Sequence, residues 1–244
     1  MIKYLTNQFK PEKLYNIVDK SIIFFGFFTI ILIITGTAWA LLYSPSDYQQ
    51  GETVRLIYIH VPAAILSLFT YFCMAVFAFI YLVWQFKMSG IMSISLAPIG
   101  SILTLITLIS GSLWGKPMWG TFWIWDARLT SELILLMLFL GIIFLNLSLD
   151  LSYKNLKLPC LLALVGVVNL PIIHFSVEWW NTLHQGPTIT KFEKPSIDHS
   201  MLLPLLFNIF SYFIILATFF LLTLRNNILK YECKRNWVLK LIKE

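Results

Sequence analysis

Apolar residues gather in six long runs, near 21–42, 59–84, 93–113, 131–149, 158–176 and 201–224, with short polar stretches between them. A hydrocarbon core about 30 Å thick is crossed by about 20 helical residues at 1.5 Å rise, so each run has transmembrane length. The pattern predicts an all-α integral membrane protein, a single polytopic domain over residues 1–244 with six transmembrane helices. Pro62, Pro159 and Pro204 are expected in first turns, where a missing N–H costs little. Pro171, shortly after Asn169 and late in the fifth run, is expected to kink or end that helix.

Composition agrees. The chain is 58% hydrophobic and 12% charged, against about 25% charged in globular domains, and its mean hydropathy is +0.78. The basic start (Lys3, Lys10, Lys13, Lys20) runs into an apolar segment of full spanning length without a small-residue cleavage site, so no cleavable signal is expected. The net charge of +6 matters through its distribution. With both termini cytoplasmic, thirteen Lys and Arg fall inside; Arg55, Lys116, Arg128, Lys191 and Lys194 fall outside. Three outer loops follow, near 43–58, 114–130 and 177–200. The inner connections 85–92 and 150–157 read as purely connective, and the basic tail 225–244 as solvated or lipid-facing. The runs contain no Asp, Lys or Arg, and Glu132 sits at the outer end of its span. That argues against an ion-coupled transport path through this chain. A Walker-type GxxxxGK[ST] motif is absent as well, so ATP hydrolysis is excluded.

Chemistry concentrates in the second outer loop, WGKPMWGTFWIWDARLT. It places Trp114, Trp119, Trp123, Trp125 and Phe122 in twelve consecutive positions and closes on Asp126 and Arg128. If 118–130 is helical, Trp119, Trp123, Asp126 and Thr130 share a face. One or two tryptophans there would read as an aromatic belt; four favour a platform for a large, flat, apolar ligand. The four histidines (His60, His174, His184, His199) all fall in or near the outer half. His60, in RLIYIHVPAA, stands where Pro62 is expected to fix a helix start. His184, in EWWNTLHQGPT, lies beside Trp179 and Trp180. Loops one and three thus each bring an imidazole toward the tryptophan shelf.

Zinc is disfavoured: no HExxH-type spacing is present, and Cys73, Cys160 and Cys233 form neither CxxC nor a c-type haem attachment. A metalloporphyrin accounts for the set. Its ring stacks on indoles, its iron takes two imidazoles, and its carboxylates suit Arg55 and Arg128. Asp126 could orient Arg128 or a loop amide, or cap the fourth helix.

WGxxWGTxWxWDxRLT, preceded by RxIYIHVPAA and followed by EWWNTLHQG, resembles the tryptophan-rich haem-handling proteins of cytochrome c biogenesis. The six-span length resembles the cytochrome c maturation protein C (haem exporter protein C) family. The resemblance implies a non-enzymatic protein of the bacterial inner membrane, with the mitochondrial inner membrane as the alternative. It implies non-covalent, transient haem b on the periplasmic face, with His60 and His184 as axial ligands. Trp114, Trp119, Trp123, Trp125 and Asp126 would then shape the haem surface. The implied partners are membrane lipid, the haem chaperone maturation protein E, the ATP-binding-cassette pair A and B and the small protein D, with no nucleic acid. His174 and His199 match no family ligand and read as structural. The alternatives are a haem-attaching synthetase (lyase) subunit, whose relatives are much longer, and a haem-channel subunit, for which the spans offer no polar line.

Overall fold

The computed structural model describes residues 10–180, 182–184 and 197–241. The lysines Lys3, Lys191, Lys194 and Lys243, used in the orientation count, lie outside these residues, as do parts of the EWWNTLHQG stretch. The described chain is helical throughout, and six of its helical segments are long and apolar enough to cross a membrane, as in a multi-pass membrane protein. They are α1 (Pro11–Ala38, continued by a π turn Trp39–Tyr43), α2 (Ile57–Trp84, entered by a 3-10 turn Glu52–Leu56), α3 (Lys87–Trp119), α4 (Ala127–Ser148), the pair α5 (Lys157–Gly166) and α6 (Asn169–Trp179), and α7 (His199–Tyr231). A short α8 (Asn236–Leu241) follows.

The helices overrun the apolar runs. A run marks what lipid requires, whereas backbone hydrogen bonding carries a helix on into the polar interface, so Lys87, Lys116 and Arg225 are helical. The expected connection 85–92 shrinks to Gln85 and Phe86. Pro159 sits in a first turn, but Pro62 and Pro204 lie inside helices that begin several residues earlier. Pro62 therefore does not start α2: Ile57 does, and His60 is already helical. The fifth span breaks as expected, although Pro171 falls in the first turn after the break rather than at its end. Its ring nitrogen cannot donate to the Val167 carbonyl; Leu170 N takes that oxygen at 3.1 Å. Asn169 then donates to Ser131 O at 2.9 Å, tying the break to α4.

Buried Leu66, Tyr71 and Met74 of α2, Ala97 and Leu103 of α3, and Phe139 of α4 form the main core. The central helix is α3, which packs on α2, α4, α5 and α7. By contrast α1 packs mainly on α7 and turns Ile23, Phe24, Phe27, Ile30 and Ile34 outward, as lipid permits. It is held by polar contacts between the helices: Thr29 Oγ1 to Thr218 Oγ1 at 2.7 Å, Asn208 Nδ2 to Gly36 O at 3.2 Å, and Asp19 to Arg225 at 2.9 Å. The basic tail is not simply solvated, because Val238 is buried and Trp237 packs on Tyr15.

The up-and-down course brings the starts of α2, α4 and α7 to the same end as the finishes of α1, α3 and α6. His60, the tryptophan loop and the described part of loop three meet there.

Candidate haem site

The second loop is not one helix. Trp114 to Trp119 complete α3, Gly120 ends it with φ +75°, and α4 restarts at Ala127. Gly120 supplies the left-handed residue that closes a helix, and Asp126 accepts from Leu129 N at 2.8 Å as the N-cap of the next. The shared helical face of Trp119, Trp123, Asp126 and Thr130 therefore does not exist; the segment between is a non-helical bend and loop, with Thr121 Oγ1 accepting from Trp123 N at 3.4 Å.

His60 is pinned against α3. Its Nδ1 lies 3.1 Å from Thr107 O and 3.2 Å from Ser110 Oγ. A carbonyl can only accept, so Nδ1 carries the proton and Nε2 keeps its lone pair, the state a metal ligand needs. Gly111 makes room for this: a Cβ there would stand 2.9 Å from His60 Cε1. Trp114 meets the imidazole edge-on at 5.7 Å, and its Nε1 donates to Gln50 Oε1 at 2.6 Å.

The second imidazole belongs to the third loop. Trp119 Nε1 donates to Leu183 O at 3.1 Å and the indole packs on the His184 ring at 4.8 Å. Gly115 gives that indole its place, since a Cβ would come within 2.5 Å of Trp119 Cε3. His184 Nδ1 stands 3.5 Å from Asp126 Oδ2, beyond an ordinary hydrogen bond. Asp126 thus serves the helix cap with one oxygen and faces the imidazole with the other. Burial and the Arg128 guanidinium hold His184 below the ordinary imidazole pKa, with Asp126 acting the other way.

The guanidinium of Arg128, in the first turn of α4, makes no hydrogen bond or ion pair among the described residues, yet lies within electrostatic reach of both His60 and His184. Its neighbour one turn on, Glu132, is buried and accepts from Ser67 Oγ at 3.1 Å. Arg55 is differently placed. Its guanidinium is committed to Glu52 at 2.5 Å and to the carbonyls of Ala40 and Leu41 at the end of α1. Trp125 is exposed and meets Trp123 edge-on at 5.4 Å; Phe122 lies under Lys116 Nζ at 5.0 Å. His199, at the start of α7, is exposed.

Thr107, Ser110, Gly111, Gly115 and Gln50 hold the site and were not anticipated. One signal was available: Gly111 and Gly115 are four apart, so on a helix they open two gaps on one face. The others pair across 47 to 64 residues of sequence.

Comparison with known proteins follows the same outline. A family model described as Heme exporter protein C matches residues 4–239. The Heme exporter protein C of Haemophilus influenzae is 48% identical over 98% of this chain and 97% of its own length. That of Escherichia coli is 49% identical over 95% of this chain and 94% of its own. A putative cytochrome c biosynthesis ccmC-like mitochondrial protein of Marchantia polymorpha is 44% identical, covering 79% and 81%.

Proposed function

The chain belongs to the Heme exporter protein C family, and from that premise we propose that it binds haem on the tryptophan-loop end and surrenders it to a partner during cytochrome c maturation, without catalysing a covalent step. One observation carries the reading. Among the described residues, the buried side-chain nitrogen and oxygen atoms lacking a hydrogen-bond partner are Trp123 Nε1, Asp126 Oδ2 and His184 Nδ1, all at this site. Buried polar atoms are normally satisfied. Trp123 Nε1 is a donor suited to an incoming carboxylate, while His184 Nδ1 and Asp126 Oδ2 face each other at 3.5 Å, which leaves the opposite nitrogen of that ring for a metal.

His60 and His184 would hold the haem iron through their Nε2 lone pairs. Thr107 O accepts from His60 Nδ1 and fixes that tautomer, while Asp126 Oδ2 faces His184 Nδ1 and would raise that ring's basicity on closing to hydrogen-bond distance. Trp119 presents an indole face beside His184, and Arg128 offers a guanidinium to a propionate. Arg55 contributes by fixing the first loop. The haem is non-covalent, in keeping with the absence of a CxxCH attachment motif, and both termini lie in the cytoplasm, so the site faces the periplasm or its mitochondrial counterpart. The receiving partner is a haem chaperone, and energy comes from an ATP-binding-cassette partner, because this chain has no phosphate-binding loop.

The test is the ferric absorption and electron paramagnetic resonance spectrum of the protein purified from haem-replete membranes. The expected result is a low-spin species with two imidazole ligands. A protein without a Soret band, or one holding only high-spin haem, would sink the proposal.

Two smaller effects follow. Trp123→Phe keeps the aromatic surface and removes one donor; the expected loss is about 1 kcal/mol, roughly a fivefold rise in haem Kd by titration. The lowered pKa of His184, from burial and Arg128, shifts proton competition with iron to lower pH than a free imidazole would show. Arg128→Gln removes one of the causes of that lowering. The acid limb of haem binding is then expected to move to higher pH, which a titration of haem occupancy between pH 4 and 8 (about the range of imidazole ionisation) reads directly.

A further inference from the structure

Behind the tryptophan loop lies a buried carboxylate to which the haem site as described gives no part. Glu132 stands in the second turn of α4 and is only 6% exposed. Its Oε1 accepts from Ser67 Oγ of α2 at 3.1 Å, and it makes no ion pair among the described residues. The Ser67 hydroxyl also stands 2.9 Å from Ala64 O, so its single proton is divided between two acceptors. A carboxylate taken out of water is costly unless it is paired.

The charge that answers it is Arg128, one turn nearer the loop end. Residues four apart share a helix face, and the Arg128 guanidinium feels Glu132 more strongly than Asp126, the other carboxylate within its reach. The remaining described cations at this end are occupied: Arg55 by Glu52 and the carbonyls of Ala40 and Leu41, and Lys116 by Gly120 O at 2.7 Å. Asp126 gives one oxygen to the cap of α4 and turns the other to His184. Among the described residues, Arg128 is therefore the cation at this end left for a porphyrin carboxylate. It already has a buried competitor one turn below it.

We propose that Glu132 shares the Arg128 guanidinium with the haem propionate and weakens that contact, so that haem is held chiefly by its two imidazoles and is readily given up. This deepens the haem-delivery reading of the main site and rests on it. Glu132 acts through Arg128, as a positioning residue, and no covalent bond changes: one guanidinium divides its hydrogen bonds between two carboxylates. A purely structural Glu132, joining α4 to α2 through Ser67, would have no dependence on Arg128.

The experiment follows haem leaving the full-length ferric protein in nanodiscs for excess apomyoglobin, with the thermal stability of each apoprotein recorded beside it. Glu132→Gln keeps the shape and an acceptor for Ser67 but removes the charge. It is expected to slow dissociation about tenfold, the scale of coupling within one charged network. Arg128→Gln alone should speed dissociation, and in that background Glu132→Gln should change the rate by less than about twofold. Glu132→Asp keeps the charge but withdraws it by one methylene; it should slow dissociation by a smaller factor, and it stands in if the glutamine variant does not fold. A wild-type rate in both Glu132 variants would overturn the proposal, because the carboxyl would then be neutral or remote. Equal slowing with and without Arg128 would overturn it too, by assigning the effect to packing. The two readings fail separately. A wild type without two-imidazole haem sinks the main site and this role with it. A wild type that carries such haem, with release insensitive to Glu132, sinks the Glu132 role alone.

Discussion

Replacing His60 and His184 together with glycine is expected to abolish the two-imidazole haem spectrum, and imidazole added to millimolar concentration is expected to restore it. The size of the effect follows from what the rings do. Removing only the outer partner of a metal ligand costs about 10–100-fold in affinity, so losing both ligands should exceed a hundredfold. The fold should tolerate the change. His60 is half-buried against α3, and the backbone of α2 continues through it to Trp84. His184 stands in a loop whose attachment to α3 runs through the Leu183 carbonyl rather than its own side chain. Rescue is what distinguishes a ligand from a structural histidine. Glycine leaves a hole that free imidazole can fill, whereas a packing defect would not respond to imidazole. Single replacements should each give a one-ligand spectrum, and identical spectra from both would fit a site with equivalent rings. Unchanged haem retention in the double variant would remove the two histidines from the site altogether.

The legible part of this protein is what lipid dictates. Six spans could be counted because a bilayer tolerates few charges over 20 residues, and the broken fifth span could be expected because Pro171 cannot donate to Val167. Helix ends were not legible from hydropathy, since α3 runs through Gly115 and Pro117 to Trp119, well past its apolar run. The tryptophan loop shows a different failure. A 3.6-residue period can be drawn through Trp119, Trp123, Asp126 and Thr130, yet local chemistry defeats it: Gly120 ends one helix and Asp126 caps the next. Both residues carry stop and start signals that outweigh periodicity in so short a stretch. Tertiary partners were the least legible. Thr107 behind His60 and Asp126 beside His184 come from helices and loops dozens of residues away, and no spacing rule joins them. Arg55 was legible as a cation of the first loop, but not its engagement with Glu52 and the carbonyls of Ala40 and Leu41.

Asp126 is expected to show two separable losses. Its Oδ1 caps α4 through Leu129 N, and its Oδ2 faces His184 Nδ1. Asp126→Ala removes both, so the protein should lose about 1 kcal/mol of stability with the cap and about 10–100-fold in haem affinity with the imidazole's partner. Asp126→Asn divides them. Asparagine caps a helix about as well as aspartate, so thermal stability of the apoprotein in detergent should match the wild type. An amide carries no charge to support a ligated imidazole, however, and haem binding should still weaken by about tenfold. Asp126→Ser gives the same division by another route, because serine caps well but is too short to reach His184. The pattern to be measured is stability lost in the alanine variant alone and haem affinity lost in all three. If asparagine and serine restore haem affinity along with stability, Asp126 is a helix cap and nothing more, and His184 must take its orientation from Trp119. If haem affinity stays low in both while the cap is intact, one carboxylate is joining the start of α4 to an iron ligand on the third loop, so that the site closes only when the loops on either side of it are in register.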